Sequence, residues 1–140
     1  MTATLEPEYR KNLFDRFLRY VKVDTRSDEA SESSPTTEKQ KDLSRLLAEE
    51  LKQLGCEDAA MNEWGIVMAT VPGNLPEDHP AAGKVPTIGL IAHVDTYFGT
   101  PGKDVKPQII ESYDGGDIQL NPDQTLKAAD KPNLAKCVGH

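Results

Sequence analysis

Thr87-Ile88-Gly89-Leu90-Ile91-Ala92-His93-Val94-Asp95-Thr96 is an apolar run that ends abruptly in His-x-Asp. With Val85 in front, the residues Ile88, Leu90 and Ile91 have the composition of a strand buried on both faces, as in a parallel sheet. The pattern predicts a strand over 85–92 with the polar pair at its carboxyl end. Ligands of open α/β sheets collect at that end of the strands. Alternation along a strand puts His93 and Asp95 on the same side of the backbone. A carboxylate in that position holds one imidazole nitrogen while the other faces a metal. The motif is short, however. A structural histidine bonded to a nearby carboxylate has the same spelling, because buried polar groups usually find partners.

Upstream, the segment 8–21 reads as an amphipathic helix, with Leu13, Phe14, Phe17, Leu18 and Val21 at helical spacing as a core-facing stripe. A polar loop follows over 24–34. A second helix is expected from Thr36 or Thr37. Pro35 suits its start, and Thr37 with Gln40 has capping-box spacing. Leu43, Leu46, Leu47, Leu51 and Leu54 form its stripe, and Gly55 stands where a left-handed cap belongs. Two short strands are expected over 56–61 and 66–71, joined by the turn Asn62-Glu63-Trp64-Gly65. Trp64 there reads as a surface residue. The segment 72–86 reads as a surface loop, and its His79 as solvated.

Downstream, the loop 96–106 should border the cleft at the strand end. A short strand is expected over 108–111. The Asp114-Gly115-Gly116-Asp117 stretch reads as a tight turn that needs glycine. The tail 121–140 is polar, with weak helical or loop character.

Composition narrows the function classes. The 140 residues suffice for one domain with a core. The net charge of −7, from 16 basic and 23 acidic residues, argues against nucleic acid and anionic membranes as partners. Cys56 and Cys137 lie far apart and fit no zinc spacing, so both are expected as free thiols. No apolar stretch has the length of a membrane helix. The start, Met-Thr-Ala-Thr-Leu-Glu-Pro-Glu, lacks a signal-peptide core, and a cytoplasmic location is expected. Nucleotide-binding glycine loops, a Gly-x-Ser-x-Gly elbow and a Cys-x-x-Cys pair do not occur.

The string Gly89 to Thr96 closely resembles the metal-binding strand end of the M20 zinc metallopeptidases. Other segments extend the likeness: Phe17-Leu18-Arg19-Tyr20-Val21-Lys22-Val23-Asp24-Thr25, Ser34-Pro35-Thr36-Thr37-Glu38-Lys39-Gln40, and Met68-Ala69-Thr70-Val71-Pro72-Gly73-Asn74. The segment 105–118, with its Tyr113-x-Gly-Gly-Asp-Ile core, resembles the peptidase T group of tripeptide aminopeptidases in particular. The resemblance implies the first part of an M20 catalytic domain: α/β, a mixed or mostly parallel sheet flanked by helices.

It also implies two zinc ions in a cleft, with His93 a metal ligand and Asp95 the catalytic-site carboxylate that orients the imidazole. By the same resemblance, the bridging aspartate, the glutamate base and the other ligands fall beyond His140. Residues 1–140 are therefore expected to be an incomplete N-terminal part without the lid or dimerisation domain, inactive alone. Tripeptides are the implied substrates, and a homo-oligomer is possible for the complete protein. Two rivals remain: another M20 hydrolase, either a carboxypeptidase or a deacylase, and a non-enzymatic module of the same fold.

Overall fold

A computed structural model describes residues 7–140. The acidic stretch read above for its lack of a signal core falls largely outside them. The chain divides into two compact units, one ending at Val105 and the other spanning Lys106–His140. Each is described by itself.

In the first unit, helix α1 (Pro7–Tyr20) starts on a proline, whose missing N–H costs nothing in a first turn. Glu8 in the first turn and Arg19 in the last complement the helix dipole. The expected core-facing stripe is covered only in part, at the half-buried Leu18 and Val21. Leu13, Phe14 and Phe17 are exposed, and α1 has no buried residue. The helix is tied to its neighbour by a polar edge instead. Tyr20 donates to Glu50, Arg19 pairs with the same carboxylate, and Arg16 lies 4.0 Å from it.

Helix α2 (Gln40–Gln53) begins later than its sequence suggests. The capping box does not form, because its residues have other partners. Thr37 Oγ1 donates to the carbonyl of Arg26 at 2.8 Å, and Gln40 Nε2 donates to Thr36 Oγ1 at 2.9 Å. The helix ends as expected at Gly55, whose φ is +95°. There the N–H of Gly55 bonds Lys52 O and the N–H of Cys56 bonds Leu51 O, which satisfies carbonyls of the last turn.

Gln40, Leu43, Ser44 and Ala48 are buried on α2, while Leu46, Leu47 and Leu51 are half-buried and Leu54 is exposed. The buried face thus mixes one leucine of the expected stripe with small and polar residues. Short side chains there let a hairpin approach. Strands β1 (Ala60–Met61) and β2 (Val67–Met68) pair antiparallel, with Met61 opposite Val67. They are shorter than the segments expected from sequence. Asn62 organises the turn, its Oδ1 accepting the N–H groups of Trp64 and Ile66. Gly65 at φ +80° lies against α2, and a Cβ there would sit 3.2 Å from Lys41 Cγ. Cys56 and Ala59 complete this small core, and Trp64 is exposed, as expected.

The segment 85–92 forms no strand. Ile88 is 78%, Leu90 94% and Ile91 99% exposed. A strand buried on both faces needs neighbours on both edges and cover on both faces. Among the described residues, the sheets are two antiparallel hairpins that do not include this segment. The parallel sheet expected around it is therefore not formed, although the chain does mix helix and strand.

The second unit holds a hairpin of β3 (Ile118–Asn121) and β4 (Gln124–Leu126), with a register irregularity between Gln119 and Asn121. The strand expected over 108–111 is absent, and the tail expected to be helical or irregular contributes β4 and two short 3-10 turns. Tyr113 is the unit's buried aromatic residue. Its hydroxyl donates to Gly116 O at 2.6 Å, and its backbone pairs with Gly139 and His140.

Candidate functional site

His93 Nδ1 lies 3.0 Å from Asp95 Oδ1. The period-two reading thus brings the pair together even though no strand carries it. An ionised carboxylate only accepts hydrogen bonds, so this geometry suits a neutral ring with its proton on Nδ1 and its lone pair on Nε2. The imidazole is 83% and the carboxylate 47% exposed. An exposed pair of this kind contributes about 0–1 kcal/mol. The bond therefore selects a tautomer more than it stabilises the fold.

Beyond the pair, the chain becomes fixed. Thr96 forms an isolated parallel bridge with Arg26. The Thr96 N–H donates to Thr25 O at 3.0 Å, and Thr96 O accepts from Ser27 N at 3.0 Å and Ser27 Oγ at 2.8 Å. Arg26 Nε donates to Phe98 O at 2.6 Å. Thr25 is buried, and Asp24 accepts from Lys39 Nζ at 2.8 Å and from Arg26 N at 3.1 Å. Those two bonds hold the Asp24 carboxyl below its ordinary pKa, with the lysine the larger cause. A groove of 590 Å³ opens beside this junction, lined by Arg26, Ser27, Lys39 and Phe98 among others. Phe98 brings the loop after residue 96 to this groove, but His93 and Asp95 do not line it, and the strand end expected beside that loop is not formed. Both of the groove's cations are engaged, Arg26 with the Phe98 carbonyl and Lys39 with Asp24.

The loop 24–27 was not legible as part of this site. Its Asp, Thr and Ser content marks a loop, and no spacing rule links it to residue 96. The other histidines stay apart from the pair in role. His79 accepts the Ala81 N–H within its own surface turn, at 3.1 Å. His140 closes the backbone pairing at Tyr113. The acids of the glycine turn serve locally: Asp114 accepts Gly116 N, and Asp117 accepts Lys127 Nζ and Ala128 N. Cys56 is buried, Cys137 is exposed, and both are free thiols.

A metal ion needs several such donors. Among the described residues, no three His, Cys, Asp or Glu side chains gather in a way that could hold one. His93, with Nδ1 occupied by a carboxylate, fits one ligand position and no more. None of the described helices is long and apolar enough to cross a membrane.

No protein-family model matches the chain. Individual relatives do. A peptidase T of Alkaliphilus oremlandii is 53% identical over 131 residues, 92% of this chain and 31% of the relative. Peptidase T of Geobacillus thermodenitrificans is 50% identical over 133 residues, 94% of this chain and 31% of the relative. Peptidase T of Bacillus subtilis is 48% identical over the same length and shares. The chain spans about a third of the length of the curated relatives it matches. Over nearly its whole length, this chain is homologous to peptidase T.

Proposed function

We propose that residues 1–140 are the N-terminal part of an M20-type catalytic domain that releases the N-terminal residue of tripeptides, with two zinc ions in the complete site. The observation that carries this reading is the 3.0 Å His93–Asp95 bond in a chain homologous to a peptidase. His93 would hold one of the ions through Nε2. Bound zinc polarises a scissile carbonyl and lowers the pKa of its water. Asp95 keeps the proton on Nδ1, so that Nε2 stays a donor of electrons, and it fixes the plane of the ring. The remaining ligands and the general base belong to the rest of the relatives' length. The chain alone is expected to bind zinc weakly and to be inactive. The proposed setting is cytoplasmic, with small peptides as partners in place of nucleic acid or membrane, and with self-association left to the complete protein.

The test is a chimera in which this chain replaces the matching third of the Bacillus subtilis relative. His93→Ala should abolish tripeptide cleavage and lower the zinc content. Asp95→Asn should fold normally and bind zinc roughly 10- to 100-fold more weakly. Cleavage and zinc content unchanged in both variants would remove the assignment.

A further inference from the structure

We propose that the loop 24–27 is the positioning element of the His93–Asp95 pair, with Arg26 and Ser27 as positioning residues and Gly102 as the space that lets them seat. The inference deepens the proposed function and rests on His93 being a metal ligand.

Both side chains of the pair are largely exposed, and the apolar segment that precedes them has no strand partner. A metal ligand has to be held to within about 0.5 Å of its working position. Neither the weak exposed bond nor the segment 85–92 can do that. The fixed point is Thr96, the residue next to Asp95. Its N–H and its carbonyl are both taken by the backbone of the loop, at Thr25 O and Ser27 N, and the carbonyl also takes the Ser27 hydroxyl. Two residues on, the Arg26 guanidinium holds Phe98 O.

The loop is itself anchored to the start of α2. Thr37 Oγ1 donates to Arg26 O, and Lys39 Nζ donates to Asp24. Gly102 closes the junction from the other side. A Cβ there would meet Asp24 Oδ1 at 2.7 Å, Arg26 Cβ at 3.2 Å and Thr96 Oγ1 at 3.3 Å. The support thus runs from α2 through the loop to Thr96, and from Thr96 directly to Asp95. Placement of the carboxylate decides which ring nitrogen carries the proton.

The experiment uses the chain itself, labelled with ¹⁵N on histidine, with zinc chloride as the probe. Ring nitrogen shifts report the tautomer of His93, and its shifts on titration report its own zinc affinity, separately from His79 and His140. The unaltered chain should show Nδ1–H at His93. Ser27→Ala should reduce that tautomer and weaken zinc at His93 about threefold to tenfold, below the effect of removing a direct carboxylate partner. Ser27→Thr should restore both, and His79 should respond equally in all three proteins. Arg26→Ala, which removes a different bond, should act in the same direction as Ser27→Ala. If Ser27→Ala and Arg26→Ala leave tautomer and affinity as they were, the positioning role is overturned while the ligand assignment stands. If the unaltered chain shows Nε2–H at His93, the ligand assignment itself fails, and the positioning role with it.

Discussion

Two adjacent stretches of this chain exchange the roles their compositions suggest. The segment 85–92 is apolar and β-branched, yet it lies exposed and without strand partners, with Ile91 99% exposed. The stretch 96–102 is rich in glycine and proline, as a loop is, yet Thr96 is pinned through both backbone groups and Phe98 through its carbonyl. Apolar composition favours burial only where something supplies cover. A backbone with specific partners is fixed whatever its hydropathy. The His93–Asp95 pair sits at the border of the two stretches, and the proposed support reaches it from the second.

The largest expected effect compares two glycines, one in each stretch. Gly102→Val forces a side chain into Asp24, Arg26 and Thr96 and should destabilise the first unit by about 1–3 kcal/mol. Gly89→Val meets nothing within 4 Å and should stay within about 0.5 kcal/mol of the parent. Urea titrations of the two variants measure the difference, and equal midpoints would erase the contrast.

Gly55→Ala places a Cβ at φ +95° and should cost about 1–2 kcal/mol in the same titration, although it too has open space around it. A neutral result would show that backbone conformation at the α2 cap is not a constraint.

The contrast extends to α1, whose polar edge is engaged while Leu13, Phe14 and Phe17 of its apolar stripe lie exposed. Burial alone would raise the Glu50 pKa, but the Tyr20 hydroxyl and Arg19 outweigh it, and the carboxyl lies below its ordinary value. A depressed carboxyl stabilises above its unfolded pKa, and that contribution is lost as pH falls through the folded pKa. Glu50→Gln should therefore lower stability at neutral pH and flatten the acid limb of the stability profile. Phe17→Ser, at a residue 59% exposed, should change stability by no more than about 0.5 kcal/mol. A larger loss from Phe17→Ser than from Glu50→Gln would show that the stripe is covered after all.

Local signals were the ones the sequence spelled out. Gly55 closes α2 because only a residue free of a Cβ adopts its φ cheaply. Asn62 folds the first hairpin turn through its own side chain. The His93–Asp95 contact follows from alternation along any extended backbone. What misled was pattern whose meaning depends on distant partners. The 85–92 run specifies a strand only inside a larger sheet. Thr37 and Gln40 have capping-box spacing, but Thr37 is spent on Arg26 O. The β3–β4 hairpin was missed despite a readable signal, since Asn121-Pro122-Asp123 is turn chemistry and Asn121 Oδ1 accepts Asp123 N. The junction of the loop 24–27 with Thr96 had no such signal, because it pairs backbone groups some seventy residues apart.

Hydrogen exchange at single amides tests that junction most directly. The account predicts that the amides of Thr96 and Ser27, each bonded to a backbone carbonyl across the junction, exchange much more slowly than those of Leu90 and Ile91. It also predicts that Gly102→Val removes the protection at Thr96 and Ser27 and leaves Leu90 and Ile91 unchanged. Equal, fast exchange at all four positions in the unaltered chain would contradict it, because the His93–Asp95 pair would then have no fixed support.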